Sequence, residues 1–194
     1  NQEKTKERKK KMKFKDFFFV PNQFWKHKNH KIIIDVLNLD KNKNNLNFIL
    51  TGPKSDHRFP KYFDDLMNRI NKNIQLKNRI EYLGVVDEGT MQYLYRNCIA
   101  VVNPSLFEGW NTSVEEGHYN GKITVVSNLP VHIEQNIGCS FYFDKFSKKD
   151  FLRTLKQVLR VKKKKIYSEK QIKKKYVLKY HQYFDKIRSI YSIK

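Results

Sequence analysis

The chain has 194 residues, 39% of them hydrophobic and 14% aromatic, with a formal net charge of +21; at this length roughly 70% of the unfolded chain's surface can be buried, so one domain with its own core is expected. No apolar run approaches the roughly 18 residues that span a bilayer, and Cys98 and Cys139 are too few for a disulfide framework or zinc site, which makes a reduced, cytosolic compartment the default. The charge suits polyanions, whether nucleotide diphosphates, nucleic acid or an anionic membrane face, but the lysines are spread along the chain, and a biased composition that merely solvates the surface is an equal reading.

Residues 1–16 are mostly polar and lysine-rich, and read as a basic linker or extension without a core of its own; residues 17–194 read as the domain. The charged start lacks the apolar stretch of a signal peptide. The first residue is Asn, not Met, and a piece of a longer protein is expected.

Phe17-Phe18-Phe19-Val20 is a continuous apolar run, the mark of a strand covered on both faces. Pro21 ends it, and a polar loop leads to a helix over Ile32–Leu37. Asn47–Leu50 is the next strand, stopped at Thr51-Gly52-Pro53. Pro60 opens a helix whose apolar Phe63, Leu66, Met67 and Ile70 recur at helical spacing. A third strand, Arg79–Leu83, closes at Gly84, and Asp87 is placed to cap the helix carrying Met91, Leu94 and Tyr95. Ile99–Val102 is a fourth strand, and a helix over Thr112–Asn120 stops at Gly121. Ile123–Val126 and Ser140–Phe143 give the fifth and sixth strands.

Beyond Lys149 the pattern is helical only. Phe151, Leu155, Val158 and Leu159 share one face; Ile172, Tyr176, Tyr180, Phe184, Ile187 and Tyr191 form a second stripe, with Lys162–Lys165 between the two helices. Alternating strands and helices predict an α/β, Rossmann-like parallel sheet with helices on both faces and a C-terminal helical extension. Such sheets bind ligands beyond the carboxyl ends of their strands, which directs attention to the loops after Val20, Leu50, Leu83, Val102 and Val126.

The loop after the fourth strand reads Asn103-Pro104-Ser105-Leu106-Phe107-Glu108-Gly109-Trp110-Asn111-Thr112-Ser113-Val114-Glu115-Glu116. Gly109 permits a tight backbone turn, and Asn111 or Thr112 starts a helix whose free N–H groups and partial positive charge offer a pyrophosphate site. Glu116 lies one turn further in, on the side of Thr112 and Ser113. Two carboxylates thus bracket an anion site, and each can accept two hydroxyl donors, as vicinal diols of a sugar or ribose require.

Glu108 and Glu116, with seven residues between them, resemble the Glu-x7-Glu signature of retaining GT-B glycosyltransferases, close to glycosyltransferase family 4 (group 1). That spacing alone recurs by chance. The surrounding Pro104-Ser105-Leu106-Phe107, Gly121-Lys122, Ser127 and Pro130-Val131-His132-Ile133-Glu134 agree with it. The resemblance runs from about Phe17 to the final helix. It implies a C-terminal donor-binding domain, a single half of a GT-B fold, whose N-terminal acceptor-binding domain lies elsewhere.

By this resemblance Glu116 holds the ribose and Glu108 the hydroxyls of the donor sugar. Backbone N–H groups from Trp110 through Asn111 and Thr112 to Ser113, with Gly109 before them, hold the diphosphate, and the Ser113 hydroxyl adds a donor. Asn111 stands where many members have glycine. Lys28 matches a lysine that pairs with the departing diphosphate, whereas Gln23 stands at an arginine position and is uncharged, so Lys28, helped by Lys26 or His27, must neutralise the charge. Gly52-Pro53-Lys54 and Leu83-Gly84-Val85 match loops that wall the nucleotide pocket, the latter near the base, and serve equally as ordinary strand-end turns. His27 and His30 suggest a metal pair but lack a third ligand, and Asp64-Asp65 suit a solvated helix face, so no essential metal is expected.

The implied activity is transfer of a hexose from a nucleotide diphosphate sugar, with retention, to a glycan or lipid-linked acceptor in polysaccharide or lipopolysaccharide synthesis. The expected location is cytoplasmic, peripheral at the inner membrane face, with Lys9–Lys13, Lys162–Lys165 and Lys173–Lys175 as candidate contacts to anionic lipid. Two rival readings are a noncatalytic nucleotide-sugar-binding subunit and a basic nucleic-acid-binding module; the second lacks any recognised motif, and no nucleic-acid partner is expected.

Overall fold

The short apolar runs pair into one six-stranded sheet, as seen in a computed structural model that describes residues 12–40, 46–164 and 167–191. The strands are β1 (Phe18–Pro21), β2 (Phe48–Thr51), β3 (Ile80–Tyr82), β4 (Ala100–Asn103), β5 (Ile123–Ser127) and β6 (Ser140–Phe143). All neighbours are parallel, in the order β3-β2-β1-β4-β5-β6. The order reverses between β1 and β4, and a crevice at such a reversal is where open α/β sheets bind ligands.

Between the strands run α1 (Lys31–Leu39), α2 (Tyr62–Asn71), α3 (Ile74–Lys77), α4 (Glu88–Asn97), α5 (Thr112–Tyr119) and α6 (Pro130–Glu134), followed by α7 (Lys148–Lys164) and α8 (Glu169–Tyr191). Alternate residues of β1 serve opposite faces, as the pleat requires. Phe18 and Val20 join Phe48, Leu50, Val102, Val125, α1 and α7 in the larger core; Phe17 and Phe19 join Ile49, Val101, Leu94 and Tyr95 in the smaller one. Each fully buried Phe is worth roughly 1.5–3 kcal/mol, so this aromatic strand anchors both layers. On the second face Gly117 of α5 lets the helix settle on Val101 and Thr124, where an added Cβ would lie 3.1 Å and 3.3 Å from their methyl carbons.

The predicted strands and longer helices stand where expected, and the Asp87 carboxylate caps α4 by accepting the Thr90 N–H at 2.9 Å. The one-turn helices α3 and α6 are too short to show a period. Lys162–Lys164, expected between the last two helices, form the final turn of α7. The stripe on α8 packs only in its first half: Ile172 is buried, but Phe184 is 57% exposed. Residues 1–11 of the basic extension, Lys9 and Lys10 among them, and Lys165 lie outside the described residues. Met12 and Phe14 of the same extension pack against the smaller core, and the Lys13 ammonium donates to the Lys77 carbonyl at 2.6 Å.

Candidate functional site

The loops after β1 and β4 are knitted together at the reversal of strand order. After β1 the chain makes a single 3-10 turn, Lys26–Lys28, closed by Asn29 in the left-handed region at φ 55°, a conformation that asparagine tolerates. The Asn29 amide donates to the carbonyls of Pro104 at 3.1 Å and Lys145 at 3.3 Å, and the Leu106 N–H donates to the His27 carbonyl at 2.7 Å. This clasp brings the Lys28 ammonium to 2.7 Å from the Glu108 carboxylate, with the side chains only 13% and 6% exposed. Of the helpers expected beside it, Lys26 lies over the Phe59 ring at 4.0 Å. Burial, and then the charge of Lys28, hold the His27 pKa below its ordinary value. Lys28 therefore presents the cation at Glu108.

Glu108 is fixed from below by a buried polar network. The Ser105 hydroxyl lies 2.6 Å from both the Glu108 carboxylate and the Asn103 amide oxygen, and its one proton serves them in turn. The Asn103 amide donates to Asn22 Oδ1 at 3.1 Å and to the Ser113 hydroxyl oxygen at 3.2 Å. Ser113 donates to Asn111 Oδ1 at 2.7 Å, and the Ser127 hydroxyl donates to the Ser105 carbonyl. Asn22, Asn103, Ser105, Asn111, Ser113 and Ser127 are all buried. The paired members of such a network rigidify a site; among the described residues Asn22 Nδ2 is a buried donor left without a partner.

Asn111 is the N-cap of α5 and accepts the Val114 N–H through its side chain, which leaves the first helical N–H groups, at Thr112 and Ser113, for an outside acceptor. Its side chain turns inward, away from any ligand approaching the backbone. The Ser113 hydroxyl, expected as a phosphate donor, also points inward, because its proton is held by Asn111. Thr112 and Glu116 share the exposed side of the helix, whereas Ser113 does not. The freedom that Gly109 permits is not used for a left-handed turn: its φ is not positive and an added Cβ would meet open space.

The Glu116 carboxylate accepts a hydrogen bond from the Tyr95 hydroxyl at 2.5 Å. Burial, and then the Glu116 charge, push the Tyr95 phenol well above its ordinary pKa, so it remains a donor. The neighbouring Glu115 is structural: it accepts from Gln135 at 2.9 Å and from Tyr180 of α8 at 2.8 Å.

Two further loops form the rim. Gly52 has φ 127°, and a Cβ there would lie 2.4 Å from the Asn22 carbonyl oxygen, so only glycine lets the loop after β2 approach the loop after β1. The Gly52 N–H donates to the Gly84 carbonyl at 3.0 Å, and the Tyr82 hydroxyl donates to the Gly52 carbonyl at 2.8 Å. Leu83 packs against the smaller core, while Val85 is 70% exposed. Gln23 is exposed beside a cavity of about 410 Å³ that it lines with Trp25, Asp56 and His57. Trp110 is half exposed. His30, the other half of the suggested metal pair, is buried and stacks on Phe24 with ring centroids 4.2 Å apart. Asp64 and Asp65 are exposed on α2.

Lys28 and Glu108 thus meet directly, with the start of α5 joined to them through Ser105 and Asn103; Gln23 shares the loop of Lys28, whereas Gly52, Leu83, Gly84 and Val85 belong to the loops after β2 and β3 at the same carboxyl edge of the sheet. Sequence reasoning missed Asn22, Asn103 and Tyr95 and the roles of Ser105, His132 and Gln135. Asn22 and Asn103 stood at strand ends, where polar residues look like ordinary loop starts; Tyr95 looked like one more apolar helix position.

The sequence profile of the family described as Glycosyl transferases group 1 matches residues 1–176. No curated protein matches the chain by sequence. Among solved structures the chain is similar to a glycosyltransferase from Rickettsia africae (TM-score 0.75, 16% identity, covering 100% of this chain and 53% of that one). It is also similar to HepE (Alr3699) of Anabaena, solved with UDP and glucose (TM-score 0.75, 18% identity, covering 95% and 51%). The catalytic domain of cholesterol-alpha-glucosyltransferase from Helicobacter pylori is a third (TM-score 0.60, 17% identity, covering 84% and 97%). These likenesses show the fold, and the chain spans about half the length of the first two structures.

Proposed function

The chain belongs to the group 1 glycosyl transferases, and we propose that it is the donor-binding half of a retaining enzyme of the family 4 type. It would transfer a hexose from a nucleotide diphosphate sugar to a glycan or lipid-linked acceptor held by a second, N-terminal domain. The observation that carries this reading is the Lys28–Glu108 pair at the reversal of strand order, tied through Ser105, Asn103 and Ser113 to the N-terminus of α5.

In this reading the diphosphate lies between Lys28 and the first N–H groups of α5, around Trp110 to Ser113. Glu108 accepts hydroxyls of the hexose, Glu116 accepts those of the ribose, and Val85 and Gly84 flank the base. When the bond from the anomeric carbon to phosphate breaks, negative charge grows on the diphosphate. Preorganised positive groups stabilise such charge without reorganising, often the largest single contribution to catalysis. The acceptor hydroxyl attacks the same face of the sugar and passes its proton to the departing phosphate oxygen, which retains the anomeric configuration. This assigns charge neutralisation to Lys28 and the helix, with no metal or other cofactor.

A thermal-shift series with UDP, GDP, dTDP and their sugars tests the reading. A ligand at ~100 times its Kd stabilises by about 2.7 kcal/mol, and no shift with any of them at millimolar concentration would reject it. We further propose that exposed lysines, Lys162–Lys164 and Lys173–Lys175, contact anionic lipid at the inner membrane face, because lysines near an anionic leaflet contribute roughly 1 kcal/mol each. Equal, poor recruitment to neutral and anionic vesicles at low salt would reject that role.

A further inference from the structure

We propose that His132, on α6, is a positioning residue for the diphosphate end of the donor, acting through Asn111 on the first backbone N–H groups of α5. This rests on the donor-binding reading above and concerns a residue that the resemblance assigns no role.

The hydrogen bonds around His132 fix every proton. Asn111 Oδ1 must face the Val114 N–H and the Ser113 hydroxyl, which are donors. Its Nδ2 is therefore the atom 2.9 Å from His132 Nε2, and that nitrogen must accept. The other ring nitrogen, Nδ1, lies 2.7 Å from the Ser127 carbonyl and must donate. Only the neutral imidazole with its proton on Nδ1 satisfies both contacts. The ring is wholly buried, and burial holds its pKa below the ordinary value, against the Ser127 contact.

A second residue of the same turn completes the hold. Gln135 Nε2 donates to the Asn111 carbonyl and to the Glu115 carboxylate, each at 2.9 Å. His132 and Gln135, three positions apart, thus grip the Asn111 side chain and backbone from one face of α6. Asn111 in turn caps α5 and holds Ser113. The N–H groups of Thr112 and Ser113 are aimed by this grip, because the N-cap sets the angle at which the helix begins. A rotated Asn111 amide would give up the cap to Val114 and release Ser113. The ligand end most sensitive to that rotation is the phosphate at the helix N-terminus; the ribose and base, expected near Glu116 and Val85, are held by residues that do not touch Asn111 or His132.

The test compares wild type, His132→Leu and His132→Gln for binding of UDP, GDP and dTDP and the matching monophosphates by calorimetry, with melting temperature and the histidine ring 15N spectrum alongside. Gln can accept from Asn111 and donate to Ser127, whereas Leu can do neither. For His132→Leu the diphosphate-to-monophosphate affinity ratio falls on the order of tenfold, the size of one lost, well-aligned buried hydrogen bond. Gln restores most of the ratio, and wild type shows protonated Nδ1 and bare Nε2. Should the Leu variant fail to fold, His132→Asn, too short to reach both partners, replaces it. A purely structural His132 would lower stability and both affinities in parallel, leaving the ratio unchanged, and that result overturns the proposal, as does a Gln variant no better than Leu. Wild type that binds none of the diphosphates overturns the donor-binding reading itself, and the ring spectrum then still reports the tautomer.

Discussion

The Lys28 ammonium and the Glu108 carboxylate, 80 positions apart in sequence, meet at 2.7 Å across the crevice where the strand order reverses. The cation is thus already partnered by an anion of the same chain. In the donor-binding reading proposed above, a diphosphate would draw Lys28 away from Glu108, and a sugar hydroxyl would then find a carboxylate free to accept. In that reading the pair would link phosphate binding to exposure of the sugar-binding carboxylate.

That coupling predicts a split between ligands. Glu108→Gln releases Lys28 and should tighten binding of free UDP or GDP severalfold at low salt, where a charge pair is screened least. The same variant should lose the extra affinity of the nucleotide sugar over the free diphosphate. Calorimetry of both ligands checks it, and equal losses for the two would contradict the assignment of Glu108 to the sugar.

Tyr95 offers a second separation. Its hydroxyl holds Glu116, while its ring meets Phe19 edge-on with centroids 5.1 Å apart. Tyr95→Phe keeps the ring and removes the donor, so the fold should lose only about 1 kcal/mol. If Glu116 holds the ribose, nucleoside diphosphate affinity should fall about three- to tenfold, and Glu116→Ala should cost more. Unchanged affinity in both variants would remove Glu116 from the ribose.

The architecture was legible because its signals are local and repetitive. Phe17–Val20 and Ile99–Val102 are apolar on both faces, and only a sheet covered on both sides buries such runs. The loop from Asn103 to Glu116 was legible through its charge and spacing. What the sequence hid is how distant side chains pair: nothing in the runs around Asn22 or Asn103 says that their amides meet at 3.1 Å. The inward turn of Ser113 was hidden for the same reason, since a hydroxyl at a helix start serves a ligand or a cap equally well until its neighbours are known. Gly109 and Gly52 look alike as letters, but only the latter sits against a carbonyl oxygen.

Gly52→Ala tests that distinction. The added Cβ would lie 2.4 Å from the backbone oxygen of Asn22 at φ 127°, a contact that cannot be relieved by a side-chain rotation. Strain and overpacking together should cost about 3 kcal/mol, a fall in Tm of roughly 10 °C for a chain of this size. Gly109→Ala should change Tm little. Two variants with the same Tm would mean that the loops after β1 and β2 do not meet closely in solution.

Acid stability should be governed by buried neutral histidines. His30 stacks on Phe24 in the core, and burial followed by the charge of Lys28 lowers its pKa to about 3. His118 is buried on α5, and burial followed by the charge of Lys179 lowers its pKa to about 4. In the unfolded chain each takes up a proton near its ordinary value of 6.5. Below that pH the unfolded state holds more protons than the native one, so stability is full above about pH 6.5 and is lost as the pH falls towards 4 and then 3. These two groups alone contribute about two protons near pH 5, a slope of about 3 kcal/mol per pH unit. Among the described residues neither ring nitrogen of His30 has a hydrogen-bond partner, so an apolar ring of similar shape removes the titration without breaking a hydrogen bond among them. His30→Phe should therefore lower the slope by about 1.4 kcal/mol per pH unit and raise the midpoint of urea unfolding at pH 5 relative to wild type. Urea titrations between pH 5 and 7 measure both quantities, and an unchanged slope in His30→Phe would show that His30 takes up its proton in the native state as readily as in the unfolded one.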